Sequence, residues 1–454
     1  MTTTESTTLL TDLDAATRGA VLAPGSAEYI VEVTGFNVAV EHRPAAVVVA
    51  ADAADVAAAV RVAAAAGLKI AVKCTGHGAI AAGPDAVLIC TRALTTLALD
   101  HHGRTATIGA GVVWQQVLDA AAPYGLAALA GSATAVGAVG YTLGGGLSPV
   151  GRTYGFAADH VRSIEVVTAD GVVRRADEHR NTDLFWALRG GGAAFGIVTE
   201  IVVDLFPIQT VLGGGIFYDI ADARAVLRAW SLWVPTLPES VSTSVAILHL
   251  PPTPELPEPL RGRTVLHLRL THVSCSEDGY ALLAPMRGLA VPILDTVSEI
   301  PFTAIASVHM DPADPMPVME RGILLNELTD DGLEILLDAA EMPVAVVELR
   351  AMGGALRREP ALPNAVGGRA AAFSLLAVGM LIPPIADIVP GVLERFVDRF
   401  EPWSCGAFMN MAGAATGTPA DRVRAGWDAP TQDRLDDIRA AVDPLHIFTA
   451  AARW

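Results

Sequence analysis

The period of hydrophobic and polar positions changes repeatedly along the chain, and each change marks an element. Residues 7–21 carry leucines at helical spacing and predict a short helix, followed by a turn at APGSAEY. The apolar run AAVVVAA (45–51) predicts a strand, ADVAAAVRVAAAAG a helix, and KIAVK (69–73) a second strand. Together they form a β-α-β unit in which parallel pairing is expected, and the unit ends in TGHG. Short β runs (AVLIC, TTLALD, TATIGAGV) fill 86–113, and GVVWQQVLDAAAPYG (111–125) predicts a helix stopped by Pro and Gly. A glycine-rich loop spans 131–151. SIEVVTADGVVRRA (163–176) predicts a hairpin turned at Asp170-Gly171. DLFWALRGGGAAFGIVTEIVVDLFP (183–207) reads as helix, glycine turn and strand.

Near residue 210 the character changes. GGGIFYDI (213–220), the helix ADARAVLRAWSLWV (221–234), SVSTSVAILHL and RTVLHLRLTHV predict a second α+β unit on a mostly antiparallel sheet, reaching to about residue 400. A helix (PTQDRLDDIRAAV) and the tail DPLHIFTAAARW follow. The expected fold class is α+β, divided into 1–210, 211–404 and a segment 405–454 that returns to the first unit.

Composition narrows the function classes. A chain of 454 residues is long enough for two or three domains, and 52% hydrophobic against 18% charged residues excludes a disordered chain. A net charge of -18 argues against nucleic acid and anionic membrane surfaces as partners, since both reward basic patches. Lys69 and Lys73 are the only lysines, which reads as the codon bias of a GC-rich, bacterial genome. Cys74, Cys90, Cys275 and Cys405 show no CxxC spacing, so free thiols in a reducing cytoplasm are expected. The N-terminus lacks the layout of a secretion signal. The charge-free stretches 130–151 and 370–385 are too rich in glycine or too short to span a membrane.

The glycine clusters invite nucleotide chemistry, but the common templates fail. A P-loop needs a lysine after its glycines, and none occurs beyond residue 73. GGGLSPVG and GGGAAFG miss the third glycine of a dinucleotide fingerprint. Three segments remain (75–78, 131–151, 190–196) whose glycines let backbone approach something flat or anionic. His77 lies in the first, where it could be a core histidine, a metal ligand with Cys74, a base or an attachment point. No second Cys/His pair completes a metal site, so no metal is expected. GxSxG is absent, which leaves a hydrolase nucleophile unsupported. His101-His102 reads as a solvated hairpin tip.

Taken in order, PGSAEY and GFN (24–37), TGHG, GSATAVGAVGYTLGGGLSPVGRTYGFAADHV (131–161), IEVVTADG (164–171) and DLFWALRGGGAAFGIVTE (183–200) resemble the FAD-linked oxidases of the vanillyl-alcohol-oxidase (PCMH) type, berberine-bridge-enzyme-like branch. ELRAMGGAL, GAFMNMAG and DPLHIF are weaker matches nearer the C-terminus. The resemblance implies a PCMH-type FAD-binding domain and an α+β substrate domain. It also implies a flavin bonded at its 8α-methyl to His77. Where many relatives add a cysteinyl link to flavin C6, this chain has Ala133, so a single tether is implied. The backbone of Thr75, Gly76, His77, Gly78 and Ala79 would cradle the pyrophosphate, with Lys73 and Cys74 just upstream among the cofactor-binding residues. Gly131, Ser132, Thr134, Val136, Gly137, Gly140, Tyr141, Gly144 and Gly145 would line the isoalloxazine and ribityl chain. Tyr154, Gly155, Asp159 and Val161 would continue that surface, with Gly196, Ile197 and Val198 on the adenine side. A small valine at 136 implies oxygen access, and hence an oxidase producing hydrogen peroxide.

One departure bears on mechanism. The relatives' Y-x-N-Y segment reads Phe408-Met409-Asn410-Met411, so both tyrosine positions are apolar and only Asn410 remains. Candidate catalytic residues are therefore Glu348, Arg350, Tyr141 and Asn410, with His309 and Tyr218 as further options. The expected function is oxidation of a bulky hydrophobic natural product (an alcohol, hydroquinone or amine) by hydride transfer to flavin N5. Its expected place is tailoring or self-protection in secondary metabolism, in a monomer or homodimer. The alternatives are a non-redox cyclase that retains FAD and a flavin-bearing drug-binding protein.

Overall fold

Three sheets carry the molecule, and the computed structural model describes residues 3–78, 80–413 and 420–449. The first sheet contains β1 (Ala20–Leu22), β2 (Ala46–Val49), β3 (Lys69–Lys73) and β4 (Ala86–Cys90), ordered β1-β2-β4-β3. The helix Ala53–Ala65 connects β2 to β3, and the Asp52 carboxylate caps it by accepting from the backbone N–H groups of Ala54 and Asp55. β2 and β3 are parallel as expected, but they do not pair with each other. β4 lies between them and pairs with both. Every residue of β4 is buried, which suits a strand covered on both faces.

The second sheet holds β5 (Leu97–Asp100), β6 (Thr105–Gly109), β7 (Val161–Val167), β8 (Val173–Asp177) and β9 (Ile197–Asp204), ordered β5-β6-β9-β7-β8. β7 and β8 form the expected hairpin. Two segments read as turn and loop contain helices. Ser26 caps a helix over Ala27–Val33, and the glycine-rich loop contains one over Ala138–Leu143.

The third sheet has eight strands: β10 (Thr210–Asp219), β11 (Val241–His249), β12 (Thr264–His272), β13 (Leu294–Asp295), β14 (Ser298–Pro301), β15 (Val318–Leu325), β16 (Val346–Ala351) and β17 (Phe373–Met380). Seven follow the order β13-β10-β12-β11-β16-β17-β15, and β14 pairs with β10. All pairings are antiparallel, so side chains alternate between two faces. One face sends Ile216, Leu268, Val245, Ile247, Leu349 and Leu375 into a core with Trp230, Leu336 and Phe396 from the covering helices. The register places Phe217, His267, Ala246, Glu348 and Leu376 in one row across the opposite face. The next row reads Gly215, Arg269, Ser244, Arg350 and Ser374. The buried core thus uses one face of each strand, and the other face is left for a site.

The end of the described chain packs on the first sheet. Asp443, fully buried, accepts from the backbone N–H of Ile447 and Phe448, and the Ile447 carbonyl accepts from Ile70 N of β3 at 2.7 Å. No helix among the described residues is long and apolar enough to cross a membrane.

Candidate functional site

β3 ends at a loop that turns back on itself, and Gly76 makes the turn possible. Its φ of +81° lies in the left-handed region, and a Cβ there would stand 2.7 Å from the Gly35 Cα. This close approach brings Phe36 onto His77, with ring centroids 3.9 Å apart and 12° between the planes. The Nδ1 atom of His77 shares a 2.9 Å hydrogen bond with the Thr75 hydroxyl. Burial lowers the His77 pKa to about 4, so at neutral pH the ring is an uncharged imidazole with a free-electron-pair nitrogen, the form that can be alkylated. Upstream, Lys73 is buried and donates to the Thr34 carbonyl at 3.0 Å.

The loop opens into a cavity of about 1100 Å³ between the first two sheets and the polar face of the third. Lys73, Cys74, Thr75, Gly76, His77 and Gly78 line it from the first loop. Gly131, Ser132, Ala133, Val136, Gly137, Gly140, Tyr141 and Gly144 line it from the second, Gly196, Ile197 and Val198 from the third. Asn410 completes this wall. Its amide donates to the Tyr141 carbonyl at 2.8 Å, and a Cβ on Gly144 would stand only 1.7 Å from its Oδ1. Asn410 therefore ties the C-terminal segment to the second loop.

Several expected site residues lie elsewhere, each for a local reason. Asp159 is buried in an ion pair with Arg369 at 2.5 Å and accepts from Asn364 and from Phe156 N, so it braces the loop instead of lining the cavity. Gly155 packs beneath it with φ +90°, and Tyr154 packs on Phe206. Val161 is a buried β7 residue, Thr134 hydrogen-bonds Gln115, and Gly145 faces the Phe408 ring. Tyr218 points into the opposite core and donates to the Met286 carbonyl. Ala79 lies outside the described residues. Although no cysteine is near Ala133 in sequence, Cys74 Sγ lies 3.2 Å from where a Gly137 Cβ would be. Burial raises the Cys74 pKa, which keeps the thiol protonated and a poor nucleophile.

Above the loops lies a buried charged cluster. Glu348 Oε1 accepts from Arg269 at 2.7 Å and from the Ser244 hydroxyl at 2.8 Å, and Oε2 accepts from Arg350 Nε at 2.8 Å. His309 Nε2 lies 3.4 Å from the same Oε1. Burial alone would raise the Glu348 pKa, but the two guanidinium groups and His309 hold it well below the usual carboxylate range. A carboxylate so stabilised has little affinity for a proton, so Glu348 is not placed to act as the base. Arg350, its charge reinforced by Glu348, is not a base either. The Tyr141 hydroxyl is buried and desolvation raises its pKa, so it stays protonated. His267 stacks on Phe217 at 3.8 Å and accepts from Arg269 Nε through Nδ1, which puts its proton on Nε2. His267 and His309 are both held neutral by burial. Sequence reasoning missed Ser244, His267 and Arg269. The available signal was RTVLHLRLTHV, whose polar residues alternate with leucine along one strand.

The residues present fit FAD. The cavity exceeds the roughly 300–1,000 Å³ usual for one small ligand, leaving room for a dinucleotide and a substrate. A Cβ built on Gly140 meets nothing within 4 Å, so the second loop presents bare backbone to open space.

An FAD binding domain model matches residues 44–177. An FAD-dependent monooxygenase of Arthrobotrys oligospora is 40% identical over 180 residues, 39% of this chain and 34% of that protein. The (R)-6-hydroxynicotine oxidase of Paenarthrobacter nicotinovorans is 32% identical over 209 residues, 46% of this chain and 43% of that one. These alignments span less than half of either relative. An FAD-linked oxidoreductase of Gibberella zeae, aurO, aligns over 91% of this chain and 81% of its own length at 27% identity. Among solved structures, a BBE-like protein of Physcomitrella patens superposes with a TM-score of 0.85 at 20% identity, covering 97% of both chains. The 6-hydroxy-D-nicotine oxidase of Arthrobacter nicotinovorans gives 0.82 at 21% identity, over 95% of this chain and 96% of that one. At these identities the structural likeness establishes the fold.

Proposed function

From the FAD binding domain matched over residues 44–177, the FAD-linked oxidoreductase that aligns along most of the chain and the fold shared with a BBE-like protein, we propose that this chain is a vanillyl-alcohol-oxidase-type FAD-dependent oxidase of a bulky hydrophobic small molecule. The observation that carries this reading is the single cavity wall on which the His77 loop, the second glycine loop and Asn410 meet beneath the polar face of the third sheet. When bound, FAD supplies a hydride acceptor that dioxygen re-oxidises, with hydrogen peroxide as product. His77, stacked, neutral and hydrogen-bonded to Thr75, is the covalent tether, and Ala133 leaves it the only one. The units 1–210 and 405–454 hold the cofactor, and 211–404 holds the substrate.

This chain's own residues bind and orient. Leu248, Leu256, Val346, Val378 and Met380 line the outer cavity and favour an apolar substrate body. Phe408 and Met411 also line it, so the base comes from elsewhere. His309 is the proton acceptor of choice. Its ring is neutral, Glu348 orients Nε2, and Nδ1 is buried with no partner among the described residues. A tailoring or self-protection role in secondary metabolism in the cytoplasm is part of the same proposal.

The test is an anaerobic screen of hydrophobic natural products against the holoenzyme, watching the flavin absorbance. Bleaching followed by one hydrogen peroxide per turnover on readmitting oxygen supports an oxidase. Product formation without bleaching would replace it with the non-redox cyclase. His309→Gln should slow the anaerobic bleaching by about 10²–10⁴-fold, the usual contribution of a general base.

A further inference from the structure

The charged cluster is not electrically balanced. Arg269 and Arg350 face one carboxylate, Glu348, so one positive charge is in excess inside the protein. Every nitrogen of Arg269 is engaged: Nε donates to His267, Nη1 to Glu348 and Nη2 to the His309 carbonyl. Arg350 differs. Its Nε is committed to Glu348, its Nη2 makes only a long 3.4 Å contact with the Ser132 hydroxyl, and no acceptor among the described residues engages Nη1. Asp311 also acts on Arg350 but is exposed, where solvent screens it.

Tyr141 lines the same cavity next to the Arg350–Ser132 contact: Gly131, the neighbour of Ser132, is so close that a Cβ on it would stand 2.8 Å from the Tyr141 ring. The Tyr141 hydroxyl is buried and has no hydrogen-bond partner among the described residues. An unpartnered buried hydroxyl beside an under-used buried guanidinium costs free energy unless a ligand satisfies both. Arg350 also stands at the end of its strand nearer the flavin loops. On neighbouring strands, Arg152 Nε donates to the Val241 carbonyl at 2.7 Å, and the Thr271 hydroxyl donates to the Pro149 carbonyl. The apolar residues Val346, Leu248 and Leu250 follow toward the other end.

We propose that Arg350 and the Tyr141 hydroxyl form an anion site that anchors a carboxylate or an ionised acidic hydroxyl at the deep end of an otherwise apolar substrate. The proposal rests on the reading of this cavity as the substrate site of an FAD oxidase, and it specifies the substrate class. Arg350 supplies charge and Tyr141 donates its hydroxyl proton in a hydrogen bond. The anion lies between β16, which carries Arg350, and the helix Ala138–Leu143, which carries Tyr141, with the apolar body along the outer strands.

The probes are benzoate and benzamide, of matched shape and different charge, titrated into holoenzyme while following the flavin absorbance band. Wild-type protein should prefer benzoate by about tenfold or more, as a charge-assisted pair in low dielectric gives. Arg350→Met should bring the preference to about unity and Arg350→Lys should retain part of it. Tyr141→Phe should weaken benzoate several-fold and leave benzamide unchanged. Equal binding of the two probes to wild type, or a preference that survives Arg350→Met, overturns the proposal. A shift in flavin potential in Arg350→Met with the preference intact overturns it also, since Arg350 would then serve the cofactor. If Arg350→Met fails to fold, Tyr141→Phe decides: unchanged benzoate binding overturns the proposal. A chain that takes up no FAD refutes the parent reading instead, and calorimetric titration of the two probes still tests the anion site.

Discussion

Glu348 is the residue on which the substrate face turns. It is 3% exposed and accepts from two arginines and a serine, with a histidine alongside. Removing it strands two buried guanidinium groups, so Glu348→Leu should cost about 3–5 kcal/mol, read as a lower urea midpoint. Glu348→Gln keeps the shape and two acceptor directions, and should cost less. Because its folded pKa is depressed, the carboxylate stabilises the fold throughout the neutral range, and that stabilisation declines as pH falls below the ordinary carboxylate value and on toward the folded one. At the same scale Gly76→Ala forces a side chain onto Gly35 at a positive φ. It should lower the melting temperature by the equivalent of about 1–3 kcal/mol and reduce flavin content, measured as the ratio of flavin to protein absorbance.

At the scale of elements, two kinds of structure hold the site, and they differ in how far the sequence reveals them. The glycine loops were legible because each is contiguous: TGHG places His77, and 131–146 carries most of its wall within one run. The fold class was legible as well, because the hairpin β7-β8 and the long alternating strands carry their period locally. The charged cluster was not. Ser244, Arg269 and Glu348 belong to three strands and meet only through register, which no single segment encodes. Glu348 was visible as a candidate, but its role was not, because that depends on what lies across from it. The same reasoning covers Tyr154 and Asp159: they follow the second loop in sequence but pack against Phe206 and Arg369 rather than lining the cavity. Ala246 lies between His267 and Glu348 in the cavity-facing row. Ala246→Leu should therefore shrink the substrate space and weaken benzoate and benzamide alike, with little change in flavin content.

For the molecule as a whole, buried histidines set the acid side of the stability profile. His42, His267 and His309 are nearly inaccessible, and burial holds each below its ordinary pKa, His42 at about 4. Between those folded values and about 6.5 the unfolded chain binds more protons, so stability rises with pH through that window and levels off above it. Each such histidine contributes a slope of up to about 1.4 kcal/mol per pH unit. His160, where burial is outweighed by the nearby Asp204 carboxylate and the Tyr154 carbonyl so that its pKa is raised, opposes the trend but is a single group. The urea midpoint should accordingly fall between pH 7 and pH 5 and stay flat between pH 7 and pH 8.

The central claim is the proposed covalent bond between FAD and His77, with no second covalent link. Acid precipitation of the purified holoenzyme tests it directly. The wild-type pellet should retain the yellow flavin and fluoresce as a single band on a denaturing gel, and His77→Ala should release all of its flavin to the supernatant. Free flavin from the wild type, or bound flavin in the His77→Ala pellet, would contradict the account.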